Sequence, residues 1–153
     1  MRAFITKQTL RAYYYLAKPG IIYGNLIYAT AGFLLASKGG IDFWLLIATL
    51  LGTSLAIASA CVFNNYIDRD IDQRMERTKK RALVQHTIPV KSALIYATVL
   101  GIAGYGILAA YTNWLTVLII SIGFIVYVFF YTYGKRKTVH STLIGSVSGS
   151  TPP

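Results

Sequence analysis

Long uncharged stretches dominate the hydrophobic pattern of this chain. They lie between Lys18 and Lys38, between Asp42 and Asp68, between Lys91 and Lys135, and from Thr138 to the end. A bilayer core about 30 Å thick needs roughly 20 helical residues to cross it. The first two stretches therefore predict one spanning helix each, and the third is long enough for two.

The pattern predicts an all-α fold, a polytopic transmembrane helical bundle that forms a single domain over residues 1–153. We expect spans at about 19–37, 43–67, 92–111, 114–133 and 139–153, of which the last is partial. The turn between the third and fourth spans is expected at Thr112-Asn113, although one long kinked helix remains an alternative. The last segment is short for a span and ends on Pro152-Pro153, and Gly145 and Gly149 lower its helix propensity, so we expect the chain to be cut within a domain.

Basic residues fall on one side of this topology. Lys and Arg are retained on the cytoplasmic side of a membrane, and the loops predicted to lie opposite hold only Lys38. The amino terminus, the loop from 68 to 91 and the loop near 135 are therefore predicted to be cytoplasmic. The chain is expected to cross its membrane several times.

Composition supports a membrane protein and argues against a nucleic-acid binder. The chain is 55% hydrophobic and 13% charged, with a mean hydropathy of +0.53. Its net charge of +10 suggests an anionic partner, but the basic residues lie between apolar stretches and not along one folded face. We therefore expect the lipid bilayer as a partner and no nucleic acid. The single cysteine, Cys61, is expected to be a small core residue.

Four of the five acidic residues lie between Asp68 and Glu76, at the predicted cytoplasmic end of the second span. In a continuing helix, Asn64, Asp68 and Asp72 would share one face with a rise of about 6 Å per step, and Asp70 would point away. Stacked oxygen ligands suit Mg²⁺, which takes further ligands from substrate phosphates. A solvated helix end, with both carboxylates paired to nearby Arg or Lys residues, remains an alternative.

Two other families with acidic metal motifs do not match. Gln73 occupies the position where a calcium-binding EF-hand loop requires glycine, and Lys79 occupies that of its bidentate glutamate. The Asp-x-x-Asp-Gly-x-x-Ala-Arg signature of the CDP-alcohol phosphotransferases is absent. Neither a calcium loop nor that phosphotransferase chemistry is therefore expected.

The same stretch resembles the UbiA superfamily of membrane prenyltransferases. Asn64, Asp68 and Asp72 match its Asn-x-x-x-Asp-x-x-x-Asp signature, and residues 77–81 match the Arg-Thr-x-x-Arg that follows. Within the superfamily, residues 18–26, 61–72 and 145–149 are similar to the heme O synthases, and the likeness covers nearly the whole chain. Ala82 departs from the proline that many members have there, which bears on the shape of the loop.

The resemblance implies an enzyme that transfers farnesyl from farnesyl diphosphate to a vinyl group of heme b (protoheme IX), with Mg²⁺ as cofactor. It also implies that the membrane is a bacterial inner membrane. Asn64, Asp68 and Asp72 would hold the metal, and Arg77 and Arg81 would bind the diphosphate. Tyr131 and Lys135, in a Tyr-x-x-x-Lys-Arg element, would assist the leaving group. The fold implied has nine helices, of which this chain holds about half, without a second acidic motif. We therefore expect these residues alone to be inactive.

Several alternatives stay open at this stage. One is another prenyltransferase of the same superfamily, which acts on 4-hydroxybenzoate or a naphthoate instead of heme. Another is a non-enzymatic transport or assembly subunit, which also fits a charged membrane bundle. Arg77 and Arg81 would then be topological anchors. No chemistry in the sequence distinguishes substrate contact from anchoring for Lys18 and Asn25. For His86 and His140 an ordinary surface position is expected.

Overall fold

A computed structural model describes residues 7–137, and side chains are described for residues 7–134. The helices are α1 (Lys7–Leu16), α2 (Pro19–Ala36), α3 (Phe43–Ile67), α4 (Arg69–Asp72), α5 (Val90–Tyr111), α6 (Trp114–Ile125) and α7 (Thr132–Lys137), with a π-helical segment at Val126–Tyr131. No strand occurs in the described part, and the all-α prediction is confirmed. The partial fifth span predicted at 139–153, and with it His140, lies outside the described residues.

Four helical stretches are long and apolar enough to cross a membrane, as predicted. They are Pro19–Ala36, Phe43–Ile67, Val90–Tyr111 and Trp114–Gly134. The protein is therefore a multi-pass membrane protein. Large apolar side chains such as Leu35, Trp44 and Ile102 cover the outside of these helices and are 70–82% exposed. Such an apolar surface suits contact with lipid tails.

The third and fourth spans are separate helices and not one kinked helix. Asn113 has extended backbone angles (φ −99°, ψ 163°), and its side chain accepts a hydrogen bond from the amide of Thr116 at 2.9 Å. This contact satisfies an amide that the first turn of a helix leaves without a partner. The turn predicted at Thr112-Asn113 is therefore confirmed.

The central contact of the bundle joins α3 to α5 through small residues. A Cβ atom on Gly104 would lie 2.8 Å from the backbone nitrogen of Ala56, and one on Gly52 would lie 2.7 Å from the side chain of Leu108. Ser59 adds a hydrogen bond across the contact, from its hydroxyl to the carbonyl of Ala97 at 2.8 Å. Small residues that let helix backbones approach closely are typical of membrane bundles.

One end of the bundle is closed by α1 and by the segment between α4 and α5. Leu16 of α1 and Leu83 and Ile88 of that segment form a buried cluster with Val62 of α3. The ring of Tyr13 also packs edge-on against Tyr96 of α5, with centroids 5.1 Å apart. These contacts fix α1 and the connecting segment over the ends of the spans, where the predicted site residues lie.

Candidate active site

The row formed by Asn64, Asp68 and Asp72 crosses the junction between α3 and α4. The amide of Asp68 donates to the carbonyl of Asn64, and the amide of Asp72 donates to the carbonyl of Asp68, both at 2.9 Å. Helical spacing is thus kept through the junction, and all three side chains are at most 2% exposed. Asp70, expected on the opposite side, is exposed. The structure therefore places the three residues in one buried row, and not at an exposed helix end.

The amide of Asn64 connects four parts of the chain. Its Nδ2 donates to Asp68 Oδ2 at 3.2 Å and to Thr132 Oγ1 at 2.9 Å. Its Oδ1 accepts a hydrogen bond from Lys18 Nζ at 2.5 Å. Because each donor and acceptor is used, the side chain is held in one orientation.

Asp72 is held by the basic segment that follows it. Arg81 donates from a guanidinium nitrogen to Asp72 Oδ2 at 2.5 Å, and Thr78 donates to the carbonyl of Asp72 at 3.1 Å. Asp72 is fully buried, whereas the side chain of Arg81 is 27% exposed. A charge buried in this way needs such a partner, since removing one member of a buried pair costs about 3–5 kcal/mol.

A cavity of about 520 Å³ lies beside this row. Four of the predicted site residues line it: Asn64, Arg77, Arg81 and Tyr131. Tyr15, Lys18 and Tyr127 add further polar side chains to the wall, so that four distant segments of the chain meet around one space. Asp68 and Asp72 do not line the cavity, but each is hydrogen-bonded to a residue that does, namely Asn64 and Arg81 respectively. The side chain of Lys135 lies outside the described residues.

The π-helical segment shapes the other wall of the cavity. In this segment the rings of Tyr127 and Tyr131 stack with centroids 5.4 Å apart and planes 11° apart. Thr132, which is fully buried, donates from its hydroxyl to the carbonyl of Tyr127 at 3.0 Å and accepts from Asn64. Such π-helical turns are rare and occur frequently at functional sites.

Three residues of the site were not among those predicted from the sequence. Lys18 reaches Asn64 because its backbone adopts a left-handed conformation (φ 55°, ψ 65°) at the junction of α1 and α2. The sequence does carry a signal for this break between helices, because the residue before a proline disfavours helical backbone angles and Lys18 directly precedes Pro19. Tyr127 and Thr132 gave no comparable signal. Asn25 bonds to the carbonyl of Ile21 in its own helix and does not line the cavity.

The remaining predictions concern residues away from the cavity wall. Cys61 is 1% exposed and is a small core residue, as expected. His86 is exposed in the segment between α4 and α5, as expected for a surface histidine.

The donor atoms at the row suit Mg²⁺ in type. They are one amide oxygen and two carboxylates, and oxygen ligands are those that Mg²⁺ selects. Asp72 Oδ1 is buried and accepts no hydrogen bond within the described part of the chain, so it is a candidate ligand. No group of three His, Cys, Asp or Glu side chains suited to a metal occurs among residues 7–134. A metal bound here would therefore take its remaining ligands from substrate or water.

Comparison with known proteins identifies the family of the chain. The UbiA prenyltransferase family matches residues 25–153. The chain belongs to the UbiA prenyltransferase family. Three residues of the superfamily's sequence signature line the cavity described above: Asn64, Arg77 and Arg81.

Relatives within the UbiA family are closely similar in sequence. The chain is 56% identical over 146 residues to protoheme IX farnesyltransferase of Pseudomonas syringae pv. syringae, covering 95% of this chain and 50% of that protein. It is 58% identical over 145 residues to the protein of the same name from Sodalis glossinidius, and 59% identical to that from Photorhabdus laumondii, each match covering 94% of this chain and 49% of the relative. The chain thus spans about half the length of the curated relatives it matches. No solved structure matches it.

Proposed function

We propose that the chain contributes the diphosphate-binding part of a protoheme IX farnesyltransferase, which transfers farnesyl from farnesyl diphosphate to a vinyl group of heme b. The observation that carries the proposal is the cavity that gathers Asn64, Arg77, Arg81 and Tyr131 from distant segments. The names of relatives 56–59% identical to the chain support heme as the acceptor. The proposed location is the bacterial inner membrane, with the cavity on the cytoplasmic side.

The chemistry requires stabilisation of a leaving group. A bond forms between the allylic carbon of farnesyl and the vinyl group while the carbon–oxygen bond to diphosphate breaks, and the positive charge left on the acceptor is quenched by water or by loss of a proton. Negative charge grows on the diphosphate as that bond breaks. Groups that bind this charge more strongly in the transition state than in the ground state accelerate the reaction.

Individual residues have distinct roles in this scheme. Arg77 has no ion-pair partner among the described residues, and its planar guanidinium suits a phosphate group better than an ammonium does. Arg81 donates to Asp72 through one guanidinium nitrogen and also lines the cavity, where its other N–H groups would donate to the diphosphate. Tyr131 would donate a hydrogen bond to the diphosphate, and Lys135 would neutralise the leaving group.

Magnesium is proposed as the cofactor, held by Asn64, Asp68 and Asp72. When bound, it would neutralise diphosphate oxygens as a Lewis acid. Lys18 donates to the oxygen of Asn64 that the metal would use, so metal binding through that atom requires the ammonium to move. The same movement would bring the ammonium of Lys18 to the diphosphate.

The test compares the rate of heme O formation among variants of three aspartates that lie close together in sequence but differ in burial. In a full-length protein that carries these residues, Asp68→Asn and Asp72→Asn are each expected to lower the rate of heme O formation about 100-fold. Asp70→Asn, an equal change at an exposed position, is the matched control and should keep the rate within about threefold. Membrane insertion of all three variants is checked by their yield in the membrane fraction.

The outcomes separate the proposal from its rivals. Equal rates of heme O formation in all three variants would contradict a role for the buried row, and a wild type that prenylates no acceptor would favour a non-enzymatic protein. Prenylation of 4-hydroxybenzoate but not of heme b by the wild type would keep the diphosphate chemistry and overturn the proposed acceptor. Unchanged turnover after chelation of magnesium and other divalent ions would overturn the proposed cofactor.

A further inference from the structure

A second cavity of about 450 Å³ adjoins the first and is lined by an unusual number of cations. Arg11, Lys18, Arg77, Lys80 and Arg81 line it, and none of the described side chains in its wall is acidic. Lys18, Arg77 and Arg81 also line the first cavity, whereas Arg11 and Lys80 belong to the second alone. The two spaces therefore share a row of positive charge.

The helix α1, which carries Arg11, is fixed by contacts with the buried cluster and with α3. Leu16 and Tyr13 of α1 pack into the buried cluster, and Asn65 Nδ2 donates to the carbonyl of Leu16 at 2.8 Å. Arg11 and Tyr15, which lie four residues apart on this fixed helix, line the cavity together with Leu16. The guanidinium of Arg11 lies 5.5 Å from the ring centre of Tyr15, a contact that orients it without neutralising its charge.

The cations particular to this cavity lack carboxylate partners. Neither Arg11 nor Lys80 has an ion pair within the described part of the chain, where Arg81 pairs with Asp72 and Lys79 pairs with Glu76. Like charges gathered around one space repel each other, so an anion that enters it gains from several of them together. The cavity is therefore suited to anionic oxygen groups.

We propose that the second cavity binds the propionate carboxylates of the heme acceptor, a proposal that rests on the function proposed above. Heme carries its vinyl groups and its propionate carboxylates on opposite edges of one macrocycle, so an acceptor whose vinyl group meets the allylic carbon places its carboxylates outside the diphosphate cavity, in a space that adjoins it. Two anionic substrates side by side repel each other, and the shared cations Lys18, Arg77 and Arg81 reduce that repulsion. Arg11 and Lys80 then serve the acceptor alone.

The test uses a double variant, Arg11→Gln with Lys80→Gln, in a full-length protein that carries these residues. We expect its KM for heme b to rise at least about tenfold, because charge-assisted hydrogen bonds to the carboxylates are lost, while its KM for farnesyl diphosphate stays within about twofold. The matched control is Arg74→Gln with Lys79→Gln, which removes the same charges from residues that line neither cavity. It should leave both KM values unchanged.

A second measurement does not depend on the folding of any variant. Wild-type protein is assayed with heme and with heme whose propionates are methyl esters, in vesicles of phosphatidylcholine with or without phosphatidylglycerol. With the wild type, we expect the KM for the diester to be at least about tenfold higher than the KM for heme, because the diester has lost both carboxylate charges.

Each other outcome overturns the proposal. An active wild type that uses heme and its diester equally would overturn this inference alone, and a requirement for phosphatidylglycerol would then assign the cavity to lipid phosphate. A rise in the KM for farnesyl diphosphate in the double variant would assign Arg11 and Lys80 to the diphosphate. A wild type that forms no heme O would overturn the proposed function and this inference with it.

Discussion

Asn64 is the side chain on which the geometry of the site depends most. Its amide donates to Asp68 and to Thr132 and accepts from Lys18, so it connects α3 with the start of α2 and with α7. A buried amide with every donor and acceptor used has one favourable orientation. The side chains of Lys18, Asp68 and Thr132 are therefore positioned by their hydrogen bonds to Asn64. Substitution of any one of them is expected to disturb the site.

Thr132→Val tests whether the hydrogen bond from Asn64 to the hydroxyl of Thr132 positions the site. The change keeps the shape of the side chain but removes the acceptor for Asn64 Nδ2, and an unsatisfied buried donor costs about 1–3 kcal/mol. We expect the KM for farnesyl diphosphate of a full-length protein to rise about tenfold. Thr98→Val is the matched control, because the hydroxyl of Thr98 is exposed and bonds only to its own helix.

Rescue by Thr132→Ser separates the hydroxyl from the packing of this position. Serine retains the oxygen and loses only a methyl group, so its KM should lie close to that of the wild type. If Thr132→Val and Thr98→Val have the same KM, the hydrogen bond from Asn64 does not position the site.

At the scale of helices, the contact between α3 and α5 holds the buried row in place. Gly52 and Gly104 bring the two backbones together, and the hydrogen bond from Ser59 to Ala97 crosses the same contact. The second span then continues into α4, which carries Asp72. The position of the row therefore depends on close packing one to three turns away from it.

Gly104→Val is expected to separate these helices. Its Cβ would lie 2.8 Å from the carbonyl oxygen of Gly52 and from the nitrogen of Ala56, and both are backbone atoms that cannot turn aside. We expect a lower thermal unfolding temperature in detergent, corresponding to a loss of about 1–3 kcal/mol. Gly106→Val is the control, since no atom lies within 4 Å of a Cβ added there. Equal unfolding temperatures would show that this contact does not limit stability.

The sequence was informative wherever a simple spacing determined the outcome. Uncharged stretches located four spans, and the four-residue spacing of Asn64, Asp68 and Asp72 placed them in one buried row. Lys18 could not be assigned, because its contact with Asn64 depends on a left-handed turn between two helices. Thr132 could not be assigned either, because its direction depends on a π-helical segment that no local pattern predicts.

At the scale of the whole molecule, the polar site lies at one end of a bundle whose sides are apolar. Lys18 begins the first span, and Asn64 and Tyr131 lie near the ends of the second and fourth spans. Alternating spans bring these positions to the same side of a membrane. A prenyl chain attached to a diphosphate in the cavity would thus have apolar helices and lipid within reach.

Residues 1–153 expressed alone are expected to form no heme O. The curated relatives that the chain matches are about twice as long, and the resemblance implies a second acidic motif on a later helix that completes the site. The measurement is the yield of heme O from membranes that contain only these residues, compared with membranes that contain a full-length relative. Clear product formation would refute this expectation.

The most direct test of the account is a structure of a full-length protein carrying these residues, determined with Mg²⁺ and the slowly reacting analogue farnesyl thiodiphosphate. The account predicts that the diphosphate lies in the cavity lined by Asn64, Arg77 and Arg81, with the metal between it and the buried row. A diphosphate bound elsewhere, or a row that contacts neither metal nor phosphate, would contradict the account.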